Sequence, residues 1–313
     1  MARAIHDETQ IDGIRITHPD RVVYPEDGRT KLDVVRYYEA IAPWMLPHVA
    51  GRPLTLVRCD RGIHPGEPKN GCLYMRHQTN AWALSVVRHV KIREQHKIGD
   101  YLVADTAQAL VALAQANIIE LHPWNSTVDA LEQPDRVIFD IDPGDGVAWA
   151  DVVETAHLIR SVLAKLGLET WPKTTGGKGL HVDCPFQRHH GWDECFAFAH
   201  AVAALIEAHQ PERFTTAFAK AKRPGRILID YKRNNRTATA VSAFSLRARP
   251  GAPVSVPLSW AQVTRGLRPE TYTLATVPAR MRRQKTDPWK GYWTTRQRLE
   301  DGALAAVLAM RPT

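Results

Sequence analysis

The sequence predicts a mixed α/β fold of the α+β kind, and three observations carry that expectation. Short apolar runs with strand character recur along the chain. Amphipathic segments with helical spacing separate them. No Gly-, Ser- or Pro-rich linker breaks the chain between residues 60 and 260. With 313 residues, 44% hydrophobic and 24% charged, the chain can bury a sizeable core. The expectation is one domain of two lobes over residues 1–313, with its core at about 14–289.

The elements follow in order. Residues 14–24 read as extended and end in the turn Tyr24-Pro25-Glu26-Asp27-Gly28. Thr30 is a candidate cap for a helix over 31–42, where Leu32, Val35, Tyr38 and Ile41 stand at helical spacing. Residues 53–59 and 72–77 read as strands around a Gly/Pro-rich loop, 62–71. Asp105 or Thr106 opens a second helix with Leu110, Leu113, Ala114 and Ile118 on one face. It runs into Leu121-His122-Pro123-Trp124, where the proline ends helical geometry. A strand at 136–142 is stopped by Pro143-Gly144, and a helix at 148–166 ends at Gly167. Strands at 168–173 and 180–185 flank a glycine turn, a helix covers 193–209, and a strand covers 226–232.

Charge narrows the function classes. The net charge is +8, but residues 213–313 hold 20 basic and 5 acidic groups, whereas the rest of the chain is acidic on balance. Such a basic segment suits a polyanion, whether nucleic acid, nucleotide phosphates or an anionic membrane, or forms a solvated Arg-rich face. No apolar run approaches the ~18 residues that span a bilayer, and MARAIHDETQ has no apolar stretch of a secretory signal. The four cysteines, at 59, 72, 184 and 195, form no C-x-x-C pair. A disulfide scaffold does not suit a chain of this size, which points to a reducing cytoplasm. Cys184, His189, His190 and Cys195 match no common zinc spacing, and Cys195 falls in the first turn of an expected helix.

Three motifs carry chemistry. In DIDPGDG (140–146), Asp140 and Asp142 project from one face of a strand while Phe139 and Ile141 pack behind them. Two carboxylates ~6–7 Å apart repel by ~2–3 kcal/mol at an effective dielectric near 20, which a hard divalent cation repays. The pair reads either as metal ligands or as the start of a turn. It is not an EF-hand, since Asp145 stands where the turn glycine belongs. In Thr174-Thr175-Gly176-Gly177-Lys178-Gly179-Leu180-His181, the glycines let backbone N–H groups approach an anion and Lys178 adds charge. The same stretch also suits a plain glycine hairpin, and it lacks Walker A spacing. His181 and Asp183 share one face of the following strand. Asp230 interrupts an apolar strand, as a salt-bridge anchor or as a third ligand, a place Asp145 and Asp183 could also fill. Arg233, Arg236, Arg247 and Arg249 follow, with forks suited to phosphate. A carboxylate pair, a glycine-lysine loop and an arginine-rich segment together suit phosphoryl or nucleotidyl transfer.

These residues stand in a longer ordered set: HPDRVVYPEDGRTKLDVVRYYEAIAPWMLPHVAGRPLTLVRC, ELHPWNS, DRVIFDIDPGDGV, KTTGGKGLHV, RILIDYKRNNRTATAV and SLRARPGAPVSVPLSW. The set, from about Ile14 to Trp289, resembles the polymerase domain of bacterial ligase D, a branch of the archaeo-eukaryotic primase superfamily. The resemblance implies a two-lobed primase-type fold with a catalytic module related to RNA-recognition folds. It implies that Asp140, Asp142 and Asp230 are catalytic and hold two divalent ions, Mn²⁺ or Mg²⁺. It places Thr175, Lys178, His181, Arg233 and Arg247 on the triphosphate and His122 near the sugar, with a ribose favoured. Arg21 and Lys31 match the grip on the 5′-phosphate of a downstream DNA strand, and Tyr74 would stack on a template base.

The implied activity is template-directed transfer of NTP or dNTP units to a DNA primer 3′-OH at gaps or broken ends. The implied partners are DNA, a DNA ligase and an end-binding protein, with no membrane, in a cytoplasmic, nucleoid-associated setting. A ligase does not fit within 313 residues beside such a unit. The chain departs from the family pattern at Thr175 (usually Ser), Arg21 (usually Lys), Leu73-Tyr74 (usually an aromatic pair), Thr237 (usually Gly) and Ala243-Phe244 (usually Pro-Tyr). Two competing readings are a non-catalytic module that binds DNA ends or gaps, and a metal-dependent phosphoesterase.

Overall fold

The computed structural model describes residues 9–77, 85–284 and 286–310. The chain divides into two compact units. Unit 1 holds the residues up to His122, Phe244–Val254 and Thr273–Arg283; unit 2 holds Pro123–Ala243, Ser255–Tyr272 and the chain from Gln284 onward.

Unit 1 begins with the short strands β1 (Gln10–Ile11), β2 (Ile14–Arg15), β3 (Val22–Tyr24) and β4 (Arg29–Thr30). Helix α1 (Lys31–Val49) starts at a capping box: the Thr30 hydroxyl accepts from the Asp33 amide, and the Asp33 carboxylate accepts from the Thr30 amide. It runs about two turns past the expected end, through Pro43 and Pro47, because Ile41, Met45 and Val49 remain on its buried face. Strands β5 (Leu54–Arg58), β6 (Leu73–Met75), β7 (Arg88–Arg93) and β8 (Ile98–Val103) form a sheet in the order β6-β5-β8-β7, and β9 (Ile118–Pro123) also pairs with β5. The sequence reading missed β7 and β8, whose polar faces weaken their apolar signal. Helix α2 (Ala107–Gln115) is capped by Thr106 and packs on α1. It stops before Ile118, which opens β9, so the expectation that Ile118 belongs to this helix is corrected. Asn117, with φ +68°, turns the chain between the two elements. Helix α5 (Val277–Arg283) also belongs to unit 1.

One cysteine reading is corrected as well. Cys59 and Cys72 form a disulfide that joins the end of β5 to the start of β6. Arg58 and Leu73 are register partners on these antiparallel strands, so the next residues outward meet across the ladder. A sequence separation of 13 conceals that pairing in the sequence.

Unit 2 contains β10 (Arg136–Pro143), α3 (Trp149–Ala164), β11 (Trp171–Thr174), β12 (Leu180–Pro185), α4 (Trp192–His209), β13 (Phe214–Thr215), β14 (Ile227–Asp230) and α6 (Ala303–Ala309). The sheet order is β11-β12-β10-β14-β13. Strands β10, β11, β12 and β14 with α3 and α4 make the β-α-β-β-α-β arrangement of a split βαβ fold, as expected for an RNA-recognition-like module. Alternation divides the sheet into two faces. Val137, Phe139 and Ile141 of β10 and Leu180, Val182 and Cys184 of β12 join one apolar core with Val152, Ile159, Phe198 and Val202 of the helices. Each such side chain contributes about 1.5–3 kcal/mol by leaving water. The opposite face of the sheet is thereby left to the polar residues between them. No helix among the described residues is long and apolar enough to cross a membrane.

Candidate active site

The polar face of the unit 2 sheet is organised by strand register. Asp140 of β10 is the direct partner of His181 on β12 and of Asp230 on β14, and His181 is the partner of Lys173 on β11. Four ionisable residues therefore stand in one row across four strands. Asp142 lies two positions along β10 from Asp140, on the same face. The three aspartates singled out by the sequence are brought together by alternation along β10 and its pairing with β14.

The electrostatics of the trio are those of crowded carboxylates held by cations. Arg233 donates from Nε to Asp140 Oδ2 at 3.1 Å, and the same nitrogen lies 3.1 Å from Asp230 Oδ2. Arg223, which the sequence reading did not single out, pairs with Asp142 through Nη2. Burial pushes the Asp140 carboxyl up, but His181, Arg233 and Lys173 outweigh it and hold the group well below the usual carboxylate range. Asp230 moves the other way: burial raises it, Asp140 and Asp142 add to the rise, and Arg233 opposes it. Two arginines thus supply positive charge to a site where three oxygen-ligand side chains meet. This donor set fits hard divalent ions, which take carboxylate oxygens.

The glycine-lysine stretch forms the β11–β12 turn. The Thr175 hydroxyl donates to the Gly179 carbonyl at 3.1 Å and accepts from the Gly177 amide at 3.2 Å, so it shapes the turn itself. Gly179 is required for close approach: a Cβ there would lie 2.1 Å from the Ile141 carbonyl oxygen. Gly144 is similar, with the Arg223 carbonyl oxygen 1.9 Å from an added Cβ. Lys178 is exposed and lines an open groove of about 520 Å³ with Pro143, Gly144, Trp149, Arg268 and Glu270. His181 is buried, its Nε2 3.3 Å from Asp140 Oδ1. Burial and the nearby Lys173 lower its pKa to about 4, against the pull of Asp140. His181 is therefore a neutral imidazole near pH 7.

Unit 1 gathers a second set of the singled-out residues. His122 Nε2 lies 2.7 Å from Glu120 Oε2, Arg247 Nε donates to the same oxygen at 3.0 Å, and the Ala248 amide donates to Glu120 Oε1 at 2.8 Å. The half-exposed Tyr74 ring faces His122 at 5.5 Å between centroids. Glu120 was missed in the sequence. Its signal is an acid on an otherwise apolar strand two residues before His122, the same argument that marked Asp230. Burial pushes the Glu120 carboxyl up, but Arg247, His122 and the Ala248 amide outweigh it and bring it to about 2.

Elsewhere in unit 1, Arg21 donates to the Asp60 carbonyl at 2.7 Å and to Asn117. Burial, with Arg21 adding, lowers the Lys31 amine to about 8. The Lys31 amide donates to the Arg21 carbonyl at 2.8 Å, so the two residues are neighbours.

The zinc arrangement open in the sequence is not built. Cys184 and Cys195 are buried free thiols, and burial pushes Cys195 up to about 12. His189 and His190 instead meet Asp301, each Nε2 3.6 Å from its Oδ1. Phe244, one of the departures from the family pattern, is a core residue of unit 1.

Comparison with known proteins places this architecture. A family model described as LigD, primase-polymerase domain, matches residues 30–289. The chain belongs to the LigD primase-polymerase domain family. The multifunctional non-homologous end joining protein LigD of Pseudomonas aeruginosa is 36% identical over 290 residues, covering 92% of this chain and 34% of that protein. LigD of Mycolicibacterium smegmatis is 32% identical over 84% of this chain and 34% of that protein. The chain therefore spans about a third of the length of these curated relatives. Among solved structures, the polymerase domain from Mycobacterium tuberculosis ligase D in complex with DNA matches with a TM-score of 0.79 and 29% identity, over 87% of this chain and 95% of that one. The family is one of nucleotidyltransferases, and its LigD members are named as non-homologous end joining proteins, in Mycobacterium tuberculosis as a DNA repair protein. The resemblance read from the motifs and the mixed α/β fold both stand on these matches.

Proposed function

We propose that the chain is a template-directed DNA repair polymerase that adds nucleotides, with ribonucleotides preferred, to a primer 3′-OH at DNA gaps or broken ends. The observation that carries this is the convergence of Asp140, Asp142 and Asp230 on the polar face of the unit 2 sheet. Those three carboxylates would hold two Mn²⁺ or Mg²⁺ ions, which activate the primer hydroxyl and neutralise the departing pyrophosphate when bound. The primer 3′-oxygen gives up its proton to solvent and attacks the α-phosphorus; the new P–O bond forms as the bond to the departing pyrophosphate breaks.

In unit 2, Lys178 and Arg233 offer cations to the triphosphate, and His181 offers a neutral N–H. The Thr175 hydroxyl holds the turn that carries Lys178. Arg233 must exchange its carboxylate partners for phosphate, and Arg223 must leave Asp142, as ions arrive. In unit 1, His122 and Arg247 are the proposed sugar and phosphate contacts, Tyr74 the base-stacking residue, and Arg21 with Lys31 the grip on a 5′-phosphate. A ligase and an end-binding protein are the proposed partners, and the setting is the cytoplasmic nucleoid.

The test is extension of a gapped duplex, with and without a downstream 5′-phosphate, supplied with each NTP and dNTP in Mn²⁺. The expected result is 5′-phosphate-stimulated addition that favours NTPs and is lost in Asp140→Ala. Extension by Asp140→Ala at the parent's rate would overturn the metal assignment. Binding without incorporation by the parent would leave a DNA-end module.

A further inference from the structure

We propose that Lys173 is a positioning residue of this centre: it orients the His181 ring and fixes its tautomer, so that the hydrogen stays on Nε2, aimed at Asp140 in the metal-free protein and open to the triphosphate once that carboxylate is taken up. The proposal rests on the reading of unit 2 as a nucleotidyl-transfer centre only for its effect on rate. The tautomer itself follows from the donors and acceptors around two buried side chains.

Lys173 is 2% exposed, on β11, at the end of the four-residue row. A lysine sealed in a sheet is costly unless its amine is satisfied. Its Nζ lies 2.7 Å from His181 Nδ1, 2.8 Å from the Val241 carbonyl oxygen and 3.2 Å from Ser255 Oγ. The carbonyl can only accept. The Ser255 hydroxyl gives its hydrogen to the Thr174 carbonyl at 2.7 Å, so it also faces Lys173 as an acceptor. The amine is therefore a donor on both sides.

Because an amine is a stronger base than imidazole, the ring does not take the amine's proton and stays neutral, and two arrangements remain at His181. In one, an ammonium group donates to Nδ1 and the ring hydrogen sits on Nε2. In the other, a neutral amine accepts from Nδ1–H and Nε2 is bare. Nε2 lies 3.3 Å from Asp140 Oδ1. A bare Nε2 would set its lone pair against a carboxylate, whereas Nε2–H donates to it. The row is self-consistent only as ammonium to Nδ1 and Nε2–H to Asp140. Lys173 then does for His181 what a carboxylate or carbonyl does for many active-site histidines, with the opposite sign: it leaves the hydrogen on the far nitrogen. A methionine of similar length would fill the space but leave both tautomers and a ring flip open.

The test uses the full chain labelled with ¹⁵N-histidine and free of metal, read by long-range ¹H–¹⁵N correlation, with His181 assigned through His181→Gln. The parent is expected to show His181 with a bare Nδ1 and a protonated Nε2. Lys173→Met should lose that single pattern and Lys173→Arg should keep it. In primer extension, Lys173→Met should cost about tenfold to a hundredfold in kcat/KM, as removal of an outer hydrogen-bond partner does. His181→Gln and the double variant should be no worse than each other, because the two residues act as one unit. A parent spectrum with hydrogen on Nδ1 overturns the proposal even if Lys173→Met does not fold. So does additivity of the two losses. A parent that shows the expected tautomer but extends no primer would sink the polymerase reading and leave the Lys173–His181 assignment standing.

Discussion

Replacing Glu120 by Gln tests the ion cluster of unit 1. The substitution keeps the side chain's shape and removes its charge. Glu120 is buried and accepts from Arg247, His122 and the Ala248 amide. In the parent, burial alone would raise its carboxyl, yet these partners bring it from an ordinary 4.5 to about 2. That drop corresponds to about 3 kcal/mol in favour of the folded, ionised state. The same size is typical when one member of a buried pair is removed and the other, here Arg247, is stranded.

The assay is native-state hydrogen exchange of unit 1 core amides on α2 and β9. The variant should exchange about a hundredfold faster near pH 7, the equivalent of that free energy. The sign of the pH effect is fixed. A carboxyl with a lowered folded pKa contributes fully above 4.5 and loses its contribution as pH falls through about 2. Parent and variant should therefore converge over that window. Exchange in the variant within a few-fold of the parent near neutrality would refute the cluster's role in stability, and so would a gap that does not narrow in acid.

Other expectations follow from the same geometry. Arg223→Ala removes the cation beside Asp142, and a half-exposed pair of this kind is worth about 1 kcal/mol. Mn²⁺ should bind the metal-free variant about fivefold more tightly, measured by electron paramagnetic resonance of the free ion; unchanged or weaker binding would count against Asp142 as a ligand. His181, whose pKa is lowered from 6.5 to about 4, makes the unfolded chain bind more protons across that window. Stability of the metal-free protein should fall by about 3 kcal/mol as pH drops from 6.5 toward 4, and urea titrations of His181→Gln should show a shallower fall. Reduction of Cys59–Cys72 opens a loop closed across 13 residues and should destabilise unit 1 by about 3 kcal/mol. Cys72→Ser should match the reduced parent in its melting temperature, and an intact mass that shows both thiols free in the untreated protein would remove the bridge.

Much of the site was legible because local rules place it. Period-two alternation put Asp140 and Asp142 on one face and their apolar neighbours in the core, and it separated His181 from Leu180 and Val182. Thr30 and Thr106 marked their helix starts because a hydroxyl before an apolar periodic run satisfies free amides. Glycines 144 and 179 stand where backbone approaches backbone. The elements that went unread, β7, β8 and β9, are those in which polar residues interrupt the apolar rhythm or a single left-handed Asn117 separates a helix from a strand.

The sequence by itself therefore determined which side chains could share a face, where helices begin, and the ordered motifs that mark the family. Only the tertiary structure decided which faces meet. Register between strands distant in the chain lines up Lys173, His181, Asp140 and Asp230, and it sets Cys59 against Cys72. The return of Phe244–Val254 to unit 1 brings Arg247 to Glu120, 127 positions away. It also divides the basic C-terminal third between the two units. The physical reason is one of range. Backbone geometry and capping act over a few residues and are written locally, whereas pairing of charges depends on burial and sheet order, which many distant contacts fix together.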